Sequence, residues 1–161
     1  MHILITGGSG FLGARLARTL LARGSVSRGG AAAQAITRIT LADRAPPPAD
    51  LAADARVQFV GGDLNEQLAS GQIPAAETAL VFHLAAAVSG ECEADMDLGL
   101  HSNLDATLAL LQACRALKTV PTLVFSSSVA VFGSSPELPL PEVIEDLTLP
   151  TPQGSYGVQI G

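Results

Sequence analysis

A chain of 161 residues, 48% apolar and 15% charged, is long enough to bury a core as one domain and too apolar to be disordered. Its net charge of −6 argues against nucleic acid as a partner, since polyanions are held by clustered lysines and arginines. Glycines interrupt the opening apolar stretch from Gly7 onward, so it is neither a leader nor a membrane span, and a cytoplasmic protein is expected.

Residues 3–5, a short apolar run, read as a buried strand, and Ala14, Leu16, Ala17, Leu20 and Leu21 continue beyond it at helical spacing. Gly7, Gly10 and Gly13 fall at the junction. There Gly7 and Gly10 can take positive φ and admit a ligand to the backbone, while Gly13 lets the helix pack closely. The amides and positive dipole end of that helix then face a diphosphate. No Lys-Ser/Thr pair follows the last glycine, which favours a dinucleotide over a P-loop.

Small residues over 24–35 read as an inserted surface loop that lengthens the first crossover. Residues 36–41 form a second predicted strand, ending at Asp43, and Pro46 to Pro48 are expected to forbid a regular helix immediately afterward. A third strand is predicted over 57–60, before Gly61, Gly62, Asp63 and Leu64. A fourth covers 79–82, before His83, Leu84, Ala85 and Ala86. Residues 96–117, with Leu100, Leu104, Leu108, Leu111 and Leu117, outline one long amphipathic helix whose leucines are expected mostly in the core. A fifth strand over 123–125 runs into Ser126, Ser127 and Ser128, and residues 136–152, rich in proline and acid, read as an ordered loop over the site. Strands alternating with helices give an α/β, Rossmann-like, doubly wound parallel sheet over 1–161, with its ligand beyond the carboxyl ends of the strands. Cys92 and Cys114 lack CxxC or Cys/His spacing, so two reduced thiols and no metal site are expected.

Together these residues resemble the extended short-chain dehydrogenase/reductase family, in its NAD-dependent epimerase/dehydratase group. The run Thr6-Gly7-Gly8-Ser9-Gly10-Phe11-Leu12-Gly13 is similar to that group's TGxxGFLG fingerprint. Gly61, Asp63 and Leu64 are similar to its adenine-contacting step, residues 83–86 to its HLAA step, and Ser126–Gly133 and Tyr156-Gly157 to its catalytic segments. The inserted loop, residues 35–41 and residues 88–99 most resemble a branch that oxidises C2 of D-erythronate, a four-carbon sugar acid, with NAD.

The resemblance implies NAD as cofactor, bound by Gly7, Gly10, Phe11, Leu12, Gly13, Asp43, Asp63, Leu64, Leu84, Ala85, Ala86, Asn103 and Tyr156. Asp43 would accept the ribose hydroxyls and repel a 2′-phosphate. Asp63 would accept the adenine amino group or, alternatively, cap the following turn, and Ala85 and Ala86 would leave room by being small. Asn103 would be a buried helix amide, whereas His83 reads as a satisfied strand-end residue and His101 as solvent-facing. Tyr156 as phenolate would take the substrate's hydroxyl proton with Ser128 holding the oxygen, and Ser89 with Ser128 would contact substrate. The family's lysine four residues after the tyrosine is absent, because position 160 is Ile. The sequence therefore reads as truncated after the fifth strand, without a C-terminal substrate domain and with activity in doubt. Two other functions share these motifs: a nucleotide-sugar epimerase or dehydratase, and a non-catalytic NAD-binding module. A homodimer paired through the long helix is the alternative use of its leucines.

Overall fold

Ile3, Leu4 and Ile5 have no exposed surface, because the strand that carries them is covered on both faces. In this computed structural model, which describes residues 1–161, the chain begins with β1 (His2–Thr6), α1 (Phe11–Arg23), β2 (Ser25–Val26), β3 (Gln34–Ala35) and β4 (Arg38–Asp43). It continues with α2 (Ala49–Ala52), β5 (Val57–Gly61), α3 (Leu64–Ala69), β6 (Thr78–His83), α4 (Ser89–Ala94) and α5 (Met96–Gly99). After a π-helical turn (Leu100–Asp105) come α6 (Ala106–Ala116), β7 (Thr122–Phe125), a 3-10 turn (Val129–Val131) and α7 (Ser155–Gln159). These elements fall into two compact units, residues 1–85 with 106–126, and residues 86–105 with 127–161.

The first unit is a five-stranded parallel sheet in the order β5-β4-β1-β6-β7. Alternation along a strand sends successive side chains to opposite faces. Accordingly Ile3, Ile5, Ile39 and Leu41 pack with Ala14, Ala17 and Leu20 of α1 and Leu51 of α2. Leu4, Ala42 and Val81 pack on the other face with Leu68 of α3 and Leu110 and Cys114 of α6. The expected doubly wound sheet is present.

Three expectations need correction. The 24–35 insertion contains a two-stranded antiparallel ribbon, β2 with β3, whose ends are tied down where the Ile36 amide donates to the Gly24 carbonyl. A helix does follow the three prolines: Pro48 caps α2, where its missing N–H is not needed, and its carbonyl accepts from the Leu51 and Ala52 amides. The predicted long helix is divided into α5, the π turn and α6, and its core face is not the leucine line. Ala106, Leu110 and Cys114 are buried, whereas Leu104, Leu108 and Leu111 are each about half exposed, at 50%, 53% and 47%. The i→i+5 turn advances fewer degrees per residue than an α-helix, so a 3.6-residue count carried through it selects the wrong stripe.

That face assignment is testable by urea denaturation. Leu110→Ala should lose about 2–5 kcal/mol of stability, and Leu108→Ala should stay within about 0.5 kcal/mol of the parent.

Candidate functional site

In the first unit, the neighbours of β1 are β4 and β6, so the sheet order reverses there; sheets of this kind take ligands at such a switch point, beyond the carboxyl ends of the strands. Gly7 leaves β1 at that point with φ +67°, and a Cβ on it would lie 2.9 Å from both the Leu84 carbonyl carbon and the Ala85 amide nitrogen. Gly13 meets a harder limit, since its Cβ would stand 2.1 Å from the Gly7 carbonyl oxygen. The first turn of α1 therefore lies against the backbone of the loop that precedes it.

Gly10 differs from both. Its φ is −69°, not the positive value expected, and a Cβ there would meet only the Gly7 carbonyl oxygen at 3.4 Å. No other atom approaches this exposed position, which leaves open space above it. No side chain caps α1, its first turn holds no acidic residue, and Phe11 and Leu12 are 84% and 58% exposed. The first amides of α1 therefore have no side-chain acceptor within the helix or its cap. The buried Ser9 Oγ has no hydrogen-bond partner. A loop with open space, an uncapped helix start and a spare hydroxyl fits a diphosphate.

Asp43, at the end of β4, is held to this loop: its carboxylate accepts from the Ser9 amide at 3.0 Å and the Ala45 amide at 3.1 Å. Asp63 caps α3 by accepting from the Asn65 amide at 2.9 Å, and its other oxygen pairs with Arg44 at 2.9 Å. The capping alternative for Asp63 is present. Arg44 is turned onto Asp63, and Leu64 opens α3 half-buried.

The strand-end histidine expected to be satisfied belongs to a larger polar node at the ends of β1 and β6. Thr6 Oγ1 accepts from the Leu84 and Ala85 amides at 3.2 and 3.3 Å. Its own proton then goes to His83 Nδ1 at 2.6 Å, which leaves His83 Nε2–H to donate to Thr107 Oγ1 at 2.9 Å. His83 is 1% exposed, and burial pushes its pKa down to about 4. A second proton would break the bond from Thr6. A buried threonine at the end of a strand was the available signal.

The second unit holds the other expected residues. Asn103 lies in the π turn, 1% exposed; its Oδ1 accepts from the Ala87 amide at 2.8 Å, and its Nδ2 donates to the Ala87 carbonyl at 3.2 Å and Cys92 Sγ at 3.3 Å. It is the buried amide expected, and its bonds hold the segment entering α4. Ala86 and Ser89 are exposed, Ser89 as the first residue of α4. Ser128 caps the 3-10 turn through the Ala130 amide at 3.2 Å. Tyr156 lies in the first turn of α7, and a Cβ on Gly157 would stand 2.3 Å from the Ala130 carbonyl oxygen, so this glycine is what lets α7 rest on the turn that Ser128 caps. Ser127 Oγ donates to the Ile160 carbonyl at 2.9 Å, and the Ile160 side chain is buried. Gly157 and Ser127 were read only as parts of motifs; their structural role emerges from packing. Burial pushes both thiols up, away from the nucleophilic thiolate.

Residues 3–159 match the family described as the NAD dependent epimerase/dehydratase family. The chain belongs to this family. It is 51% identical over 160 residues to a D-erythronate dehydrogenase of Cupriavidus necator, covering 99% of this chain and 47% of that protein. Among solved structures it resembles a nucleoside-diphosphate-sugar epimerase from Agrobacterium tumefaciens (37% identity, TM-score 0.80, 99% of this chain and 45% of that one). It also resembles MoeE5 in complex with UDP-glucuronic acid and NAD (29% identity, TM-score 0.74, 99% and 46%). The chain spans about half the length of the curated relatives it matches, and no helix is long and apolar enough to cross a membrane.

The His83 node makes stability pH-dependent. The unfolded chain takes up this proton near pH 6.5 and the folded chain near 4. The stabilisation is therefore complete above pH 6.5 and lost as pH falls through that window, by at most about 3 kcal/mol. His2, also lowered by burial, adds in the same direction. Urea midpoints should fall between pH 6.5 and 4, less steeply for His83→Gln.

Proposed function

We propose that this chain binds NAD through its first unit and carries, in its second, the serine and tyrosine of a dehydrogenase that oxidises the C2 hydroxyl of D-erythronate or a close sugar acid. The open space at Gly10, before an uncapped helix, carries the cofactor half of this reading. The 51% identity to a D-erythronate dehydrogenase supports the substrate. Asp43 would receive the adenosine ribose hydroxyls and disfavour NADP, and Asp63 remains the candidate for the adenine amino group. Leu84, Ala85 and Ala86 would flank the nicotinamide ribose.

When bound, NAD supplies the hydride acceptor. Tyr156 would take the proton of the substrate hydroxyl and Ser128 would hold its oxygen, with Ser89 as a further contact. A phenol, with an ordinary pKa of about 10, works as a base near neutrality only where a cation favours its ionised form. The family places that cation four residues after the tyrosine, and here Ile160 stands in its position. Slow turnover follows. A nucleotide-sugar substrate is the second reading, favoured by the likeness to the A. tumefaciens epimerase. The exposed Leu108 and Leu111 support a homodimer.

Calorimetry and NADH absorbance test the proposal. NAD should bind, and Gly10→Ala should weaken it at least about tenfold while changing stability by no more than about 1 kcal/mol, because the new methyl occupies ligand space. D-erythronate should be oxidised in preference to UDP-glucose, at a rate about a hundredfold or more below that of the C. necator enzyme, which is the usual worth of a competent general base. Absence of NAD binding, or a preference for UDP-glucose, would overturn the respective half.

A further inference from the structure

We infer that Glu93 is a positioning residue for Tyr156, joining the helix that begins with the proposed substrate contact to the helix that carries the proposed base. The inference rests on the roles proposed above for Ser89 and Tyr156, although the contacts behind it do not. Glu93 Oε1 accepts from the Tyr156 backbone amide at 3.2 Å. The same oxygen would lie 2.7 Å from a Cβ at Gly154, so the carboxylate is seated against the residue that caps α7. One residue earlier on α4, the Cys92 carbonyl accepts from Ser155 Oγ at 3.1 Å. Two consecutive residues of α4 thus grip two consecutive residues at the start of α7.

The position of Glu93 on its own helix gives the grip its purpose. Ser89 and Glu93 are four residues apart on α4, which places them on one face. That helix is fixed at its entry by Asn103 on Ala87 and by Glu91, whose carboxylate accepts from the Val88 amide at 3.0 Å. A carboxylate accepting a free amide in the first turn also complements the helix dipole. α7 has five residues and no side-chain cap of its own, and so short a helix does not hold its first turn without outside contacts. Glu93 supplies one, and with it ties the backbone at Tyr156 to the helix that carries Ser89.

Tyr156 is the chain's single tyrosine and tryptophan is absent, so intrinsic fluorescence reports on this residue alone. The experiment compares the full chain with Glu93→Ala and Glu93→Gln, using amide hydrogen exchange and acrylamide quenching of tyrosine emission. Glu93→Ala should lower the protection of the Tyr156 amide about tenfold, as loss of one charge-assisted hydrogen bond implies, and should raise the quenching constant. Amides of the π turn and of β1 should keep their protection. Glu93→Gln retains an acceptor oxygen and should restore most of both signals. Unchanged protection in Glu93→Ala would overturn the inference, as would a uniform loss across the second unit or a glutamine variant as impaired as alanine. These readouts need neither NAD nor turnover, so failure of the functional proposal and failure of this inference are distinguishable.

Discussion

The Gly7 carbonyl oxygen occupies the space that any side chain at position 13 would need, and the cofactor half of the candidate site follows from that contact. It draws the start of α1 onto the loop leaving β1, while Gly7 itself, at φ +67°, turns under Leu84 and Ala85. Two strand ends and a helix start therefore meet at one point. The Asp43 carboxylate on the Ser9 amide and the neutral His83 beneath Thr6 hold that meeting from below. A backbone cradle of this kind suits an anion, because helix-start amides can point at it.

Much of this was legible in the sequence because the steric requirements are local. Residues 3–5 and their four partner strands announce themselves as short apolar runs ended by small or polar residues, and the observed strands differ from the expected ones by one or two residues. The glycine spacing marked the loop, although only packing separates Gly13, required by the fold, from Gly10, required by nothing within it. The errors arose where one rule was carried past its range. The leucine stripe keeps an α-helical period that the π turn breaks, and Pro48 stands at the N-cap, before the first turn, where its missing N–H is not needed. The ribbon of β2 and β3 has two-residue strands, too short for a period-2 pattern to show.

In the second unit the legible and illegible parts are reversed. Ser128 and Tyr156 stand out by resemblance, whereas the contacts that place them are unremarkable in sequence: Gly157 on the Ala130 carbonyl, Ser127 on the Ile160 carbonyl, Glu93 on the Tyr156 amide. Such contacts join residues up to 63 positions apart, and no local pattern encodes them. Ile160 belongs with this group. It fills a buried position where the family pattern has a cation, so the proposed base would lack that charge beside it.

The central claim, that backbone amides at the start of α1 hold the linked phosphates of NAD, is tested most directly by an amide chemical-shift titration with ADP-ribose, which contains those phosphates and lacks the nicotinamide. The largest shifts should fall on the amides of residues 8–13, with smaller ones at Asp43 and Asp63. Saturable binding whose shifts leave residues 8–13 unmoved, or no binding at millimolar ligand, would contradict it.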